Sequence, residues 1–250
     1  MADRVREGIV RVVRFLKRQK RNYRVAVARS SASSFLANLT GQYSSIYTVG
    51  LGADSVQLGS ISSISSAISA LIATPVGWLV DRHGIKRFYL LSILFMAGGA
   101  LIYGLARDWR AIIVASALAA IAMRLSGTGC SVICADSVQN KDRVTAQNLC
   151  GSLAAIFSLI SPWLGALLVT RYGGINVEGI RPLFYLRFVG YGLVFLLVAT
   201  QLREPQRERL ARSGMKLAFV ADFRQLFKGR GFLWRWVLLA SITALPMAMY

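Results

Sequence analysis

The sequence predicts an all-α integral membrane protein with six membrane-spanning helices and the start of a seventh. Three observations carry this. Hydrophobic residues make up 55% of the 250 and charged residues only 16%, well under the quarter usual in soluble domains. The apolar residues fall into long runs, each sufficient to cross a hydrocarbon layer about 30 Å thick. The bases gather at four places separated by pairs of runs, the pattern that orients helices in a membrane.

Residues 1–27 form a basic cytoplasmic segment. Within it, Val5, Ile9, Val12, Val13 and Leu16 recur at helical spacing opposite Arg4, Arg11, Arg14 and Arg18. Such a helix lies on a membrane surface and binds anionic lipid headgroups. A six-helix bundle occupies residues 28–202, with spans at 28–51, 57–79, 88–106, 110–135, 145–169 and 183–201. Pro75 and Pro162 fall inside the second and fifth spans. Residues 203–231 read as a cytoplasmic linker, and 232–250 as a truncated seventh span.

Charge sets the orientation. Ten bases lie from Arg4 to Arg29, three in the 80–87 loop, two in 136–144 and nine in 203–235, together 24 of 30. Arg107, Arg110, Arg171, Arg181 and Arg187 are assigned to the opposite side, and Arg124 to the interior of a span. The majority side is cytoplasmic by the positive-inside rule, which puts the N-terminus in the cytoplasm and the chain in a plasma membrane, most naturally a prokaryotic one. The net charge of +19 thus needs no nucleic acid. Cys130, Cys134 and Cys150 lie within apolar runs and form neither a disulfide framework nor a metal cluster.

Between the second and third spans stands Gly77-Trp78-Leu79-Val80-Asp81-Arg82-His83-Gly84-Ile85-Lys86-Arg87. Gly84 suits the reversal between two helices. The stretch resembles the signature loop of the major facilitator superfamily, with Gly77, Asp81, Arg82, Gly84, Lys86 and Arg87 in the matching places and Ile85 where the family often has a base. The resemblance covers roughly residues 28–202. It implies the N-terminal half of a twelve-helix secondary transporter, built as two inverted three-helix repeats. Leu79-Val80-Asp81-Arg82-His83-Gly84 and Leu168-Val169-Thr170-Arg171-Tyr172-Gly173 echo one another at equivalent points of such repeats. The resemblance further implies that Asp136 and Arg143 join the signature loop in a cytoplasmic charge network that opens and closes as the halves rock. Without the resemblance, the same charges read as helix-end residues satisfying dipoles and headgroups.

An ionisable residue deep in a span is costly and faces a partner or a wet cavity. Arg124 lies twelve residues before Asp136, about 18 Å along a helix. Asn38 and Gln42 share a helix face in the first span. The resemblance places the first and fourth spans along the central cavity, so Asn38, Gln42 and Arg124 are the candidate substrate residues. Interhelical hydrogen bonding is the competing role for Asn38 and Gln42. Arg124-Leu125-Ser126-Gly127-Thr128-Gly129 also resembles the family's fourth-span arginine motif, and Ser161-Pro162-Trp163-Leu164-Gly165-Ala166 its fifth-span glycine–proline motif, here with Ser161 and Ala166 in place of glycines. Pro162 and Gly165 still imply a kink and close packing.

Spans one to six hold no Asp or Glu, so a coupling ion, if used, engages a second half or the substrate. No Walker loop, nucleophile elbow or zinc pattern appears, so neither a cofactor nor an enzymatic activity is expected. The reading is a secondary transporter that moves a small organic solute by alternating access, as symporter or antiporter, from a fragment of a longer protein. The alternative is a non-transporting six-span protein acting as subunit, sensor or remnant.

Overall fold

A computed structural model describes Phe15, residues 18–83 and 85–202, and Leu239; the side chains of residue 74 and of those at 77–83, 85 and 128–137 fall outside that description. The chain divides into two units, Met1–Glu208 and Arg209–Tyr250, and the architecture below is that of the first. Of the surface helix expected within residues 1–27, Phe15 and residues 18–27 are described; Gln19 and Lys20 lie outside any helix, and a new helix starts at Arg21. The linker and the seventh span lie almost wholly outside the described residues.

Among the described residues the structure is helical throughout. It comprises α1 (Arg21–Gly41), α2 (Ser44–Gly50), α3 (Ser55–His83), α4 (Ile85–Leu105), α5 (Arg110–Ser137), α6 (Arg143–Arg171) and α7 (Val177–Gln201), with a 3-10 turn at Asn140–Asp142. Five of these, α3 to α7, are long and apolar enough to cross a membrane. The expected first span differs. It is broken into α1 and α2 at Gln42–Tyr43, and α1 starts at Arg21, inside the basic segment. Arg21, Arg24, Arg29 and four serines dilute its hydropathy.

The helix ends follow from local chemistry. Gly52 takes φ +93° after α2, its N–H donating to Val49 O at 2.8 Å and that of Ala53 to Thr48 O at 3.2 Å. This closing motif needs a left-handed residue, which glycine supplies without strain. Gln57 Oε1 accepts from the Asp54 N–H at 3.0 Å ahead of α3, half of a capping box. Asn176 Oδ1 accepts from the Gly179 N–H at 2.6 Å and caps α7.

Contacts fix the helix directions. Tyr23 donates from its hydroxyl to Ala146 O, and Asn38 Nδ2 to Ser158 Oγ, so α1 and α6 run parallel. Arg29 meets Ser92, and further on Tyr47 meets Tyr103, so α4 shares that direction. Lys86 reaches Ala199 O while Tyr185 reaches Gly104 O, which makes α7 antiparallel to α4. Ile61 packs near Ile112, and Ser69 accepts from Arg124, so α3 and α5 run parallel to one another. One end of the bundle therefore carries Lys20, the end of α3 with the start of α4, and the Val138–Arg143 connection; the other carries residues 51–54, 106–109 and 172–176.

Three apolar clusters are buried among the described residues: a small one of Tyr23, Val27, Val138, Ala146 and Cys150 at the basic end, and two larger ones in series. Leu36, Tyr89, Ile93, Leu125, Tyr191 and Val198 belong to the one nearer the basic end, and Tyr47, Ile112, Leu183 and Phe184 to the other. Outside them the surface is apolar: Leu71 is 77% exposed, Leu159 79% and Trp163 65%. So many large exposed side chains are out of place in water and suited to lipid.

Candidate functional site

A cavity of about 640 Å3 opens between the helices near mid-depth. Small residues make it. Ser65, Ser66 and Ser69 recur on one face of α3, and Ala115, Ser116, Ala119 and Ala120 on one face of α5, with Gly41, Ser44, Gly99 and Ala100 completing the walls. Helical spacing keeps each set on a single face, so the backbones stand apart without side chains to fill the gap. A second cavity of about 500 Å3 shares Ser44, Ser65, Ser66, Tyr103 and Ser116 with the first and extends it past Thr48 and Ser62. Ser65 Oγ already donates to Ile61 O at 2.9 Å, and Ser116 Oγ to Ile112 O at 2.8 Å. The oxygens of these hydroxyls keep acceptor capacity.

Two arginines face this space. Arg124 lies fourteen residues into α5, about 21 Å along it, and its Nε donates to Ser69 Oγ at 2.6 Å. Arg187 lies ten residues into α7, about 15 Å along it. Its Nη1 donates to Thr40 Oγ1 at 2.7 Å, its guanidinium stands 5.5 Å from the Tyr191 ring centroid, and its Nε is buried without a partner.

An aromatic plug closes the end of α4 nearest the second cavity. Tyr103 stacks on Phe184 at 4.7 Å, and Tyr47 lies 4.9 Å from the same ring. The last carbonyls of α4 have no helical partner. Tyr47 Oη donates to Tyr103 O at 2.8 Å, Tyr185 Oη to Gly104 O at 2.9 Å and Arg181 Nη2 to Ala106 O at 2.8 Å.

The predicted substrate residues do not converge. Asn38 sits in the α1–α6 seam, donating to Ser34 O at 2.9 Å and Ser158 Oγ at 3.0 Å. Gln42 is exposed at the break after α1. Neither is among the residues lining the cavity of Arg124. Pro162 lies inside an uninterrupted α6, and Gly165 packs on the same seam, where a Cβ would come 2.9 Å from Leu39 O. Ser161 Oγ donates to Phe35 O at 2.5 Å beside them.

Of the predicted gating residues, Lys86 Nζ donates to Ala199 O at 3.1 Å in the last turn of α7, where a cation complements the helix dipole. Arg87 is exposed, and Arg143 opens α6 at the same end. Gly84 lies outside the described residues, as do the side chains of Asp81, Arg82 and Asp136 and the surroundings of Gly77. An ion pair the charge census did not single out, Arg18 Nη2 to Asp142 Oδ2 at 2.7 Å, stands at this end too.

Arg124 is not the only arginine deep in a helix, which corrects the sequence reading. The charge count places Arg187 on the loop side and Arg29 in the basic N-terminal group. Arg29 is 6% exposed, its guanidinium 4.1 Å from the Tyr89 ring centroid and its Nη2 3.2 Å from Ser92 Oγ. Counting bases by run boundaries misses both. An arginine next to an aromatic or hydroxyl on another helix leaves no local pattern; position 187 inside the run 183–201 was the available signal.

A family model described as the Major Facilitator Superfamily matches residues 25–250. Among curated proteins, the chain is similar to the multidrug resistance protein Stp of Mycobacterium tuberculosis, with 28% identity over 147 residues, 57% of this chain and 26% of the relative. It is also similar to multidrug resistance protein 1 of Bacillus subtilis, with 25% identity over 164 residues, 64% of this chain and 40% of the relative. The match thus spans about a quarter to two fifths of those relatives' length. Among solved structures, a peptide transporter POT in complex with sulfate aligns with TM-score 0.54 and 20% identity, over 92% of this chain and 46% of that one. A human organic anion transporter aligns with TM-score 0.55 and 17% identity, over 74% and 48%. Identities this low speak for the fold alone.

Proposed function

This chain belongs to the major facilitator superfamily, and we propose that it forms the N-terminal six-helix half of a secondary transporter that moves a small organic solute by alternating access. In this reading α1 and α2 together make the first span, α3 to α7 the next five, and the six form two inverted repeats. Residues 203–231 link to a second half that begins near 232. The basic end faces the cytoplasm of a prokaryotic plasma membrane.

The observation that carries the proposal is the hydroxyl-walled cavity with Arg124 in it. Its volume falls in the range of small-molecule sites, and an intramembrane cation marks a pathway by default. The multidrug-resistance names of the relatives favour an exported organic solute. Asn38, Pro162 and Gly165 then serve the α1–α6 seam, about which the half deforms. Asp81, Arg82, Lys86, Arg87, Asp136 and Arg143 form the cytoplasmic gate with Gly77 and Gly84 at its close approaches. Gln42 stands at the break where the first span bends.

The test is solute flux through the full-length protein in proteoliposomes. Arg124→Gln is expected to lower flux at least about tenfold, the scale of one lost charged hydrogen bond. Flux that is absent from the wild type across a broad solute panel would favour the non-transporting alternative.

A further inference from the structure

We infer that this cavity selects solutes carrying a carboxylate or similar oxyanion, held between Arg124 and Arg187. The inference rests on the transport reading only for its consequence; the binding chemistry stands on the geometry.

Four arginines sit inside the described helices away from the basic end, and they divide into two kinds. Arg29 is stacked over Tyr89 and closed off from solvent. Arg181 spends Nη2 on Ala106 O and Nε on the Tyr47 hydroxyl at 3.4 Å. Both are structural. Arg124 and Arg187 instead line one cavity, and each is anchored by a hydroxyl, Ser69 Oγ and Thr40 Oγ1. A hydroxyl orients a guanidinium and leaves its charge whole. Among the residues with described side chains, no carboxylate lines the cavity. The acids whose side chains are described belong to the helix connections or first turns: Asp54, Asp108, Asp142 and Glu178.

Two like charges sharing a cavity in a low-dielectric surround repel one another and attract an anion more strongly than either would in water. Guanidinium groups present paired N–H donors matched to the two oxygens of a carboxylate. The remaining walls are apolar and adaptable: Met96, Met123, Ala100 and the Tyr103 ring. Thioether chains adjust to varied shapes. The site therefore suits an organic acid, with an apolar body against the methionines and its charged end on the arginines.

The experiment measures binding to the full-length protein in nanodiscs by calorimetry, comparing benzoate with benzamide and hexanoate with hexanamide. Each pair holds shape nearly constant and removes the charge. The inference predicts that a carboxylate binds at least about tenfold tighter than its amide. Arg124→Gln and Arg187→Gln should each erase that preference, while Arg187→Lys should retain part of it. Equal binding within both pairs, or none, overturns the inference, and this wild-type comparison needs no variant to fold. So does an unchanged preference in Arg187→Gln. The two readings fail separately. A preference for carboxylates with no flux of any solute would leave the anion site standing and remove transport. Ethidium flux in proteoliposomes, unaffected by either glutamine variant and with no carboxylate preference, would do the reverse.

Discussion

Gly165 stands where a side chain would meet Leu39 O at 2.9 Å and the Tyr43 ring at 3.3 Å, the second a tight contact and the first one that real Cβ atoms do not make. Backbone cannot yield as a flexible side chain can, so Gly165→Val should lower the melting temperature of the full-length protein by about 4 °C or more, through overpacking. Gly151 lies on the same helix with nothing within 4 Å of its Cβ position. Gly151→Ala should leave the melting temperature unchanged or raise it slightly, and a fall equal to that of Gly165→Val would remove the seam from the account. Arg29 makes a second case. Tyr89→Leu takes the ring from a buried cation and should cost about 1–2 kcal/mol in chemical denaturation; a neutral result would show that the stack contributes nothing. The close packing of Gly165 was legible because its constraint is a backbone one, whereas Pro162 stands inside α6 without interrupting it. The partners of Arg29 and Arg187 were not legible, because they come from helices tens of residues away.

At the scale of helices, α3 to α7 were readable as apolar runs, and their order and approximate ends follow the sequence. Asp54, Asn176 and the Gly52 and Gly173 turns mark boundaries by local chemistry alone. The break at Gln42–Tyr43 was not readable, since neither residue forbids a helix; tertiary contacts of Thr40, Tyr43 and Tyr47 decide it. The basic end carries two kinds of charge with different expected weight. The Arg18–Asp142 pair is 64% exposed on the arginine side, so Asp142→Asn should change stability by less than about 1 kcal/mol. Asp81, in the proposed gate, should matter to cycling instead. Asp81→Asn is expected to change the rate of solute flux severalfold with little change in melting temperature, and identical flux would reject the charge network.

For the whole molecule, the alternation of helix directions puts residues 51–54, 106–109 and 172–176 at one end and the basic connections at the other. The sequence already implied this through its charge distribution. It did not imply where the wet space lies, because a cavity depends on which small faces meet, and serines on α3 face alanines on α5 only once the bundle is assembled. The central claim is that this space is a solute pathway open in turn to either side of the membrane. The most direct measurement is the labelling of Ser69→Cys, in a full-length protein otherwise free of cysteine, by a membrane-impermeant maleimide applied from each side. Labelling from both sides is expected in a cycling population. Labelling from one side only is expected when the protein is trapped, and slower labelling when a transported solute is present. A cysteine at position 69 that stays unlabelled from both faces, or that reacts at one fixed rate from a single face whatever solute is added, would contradict that claim.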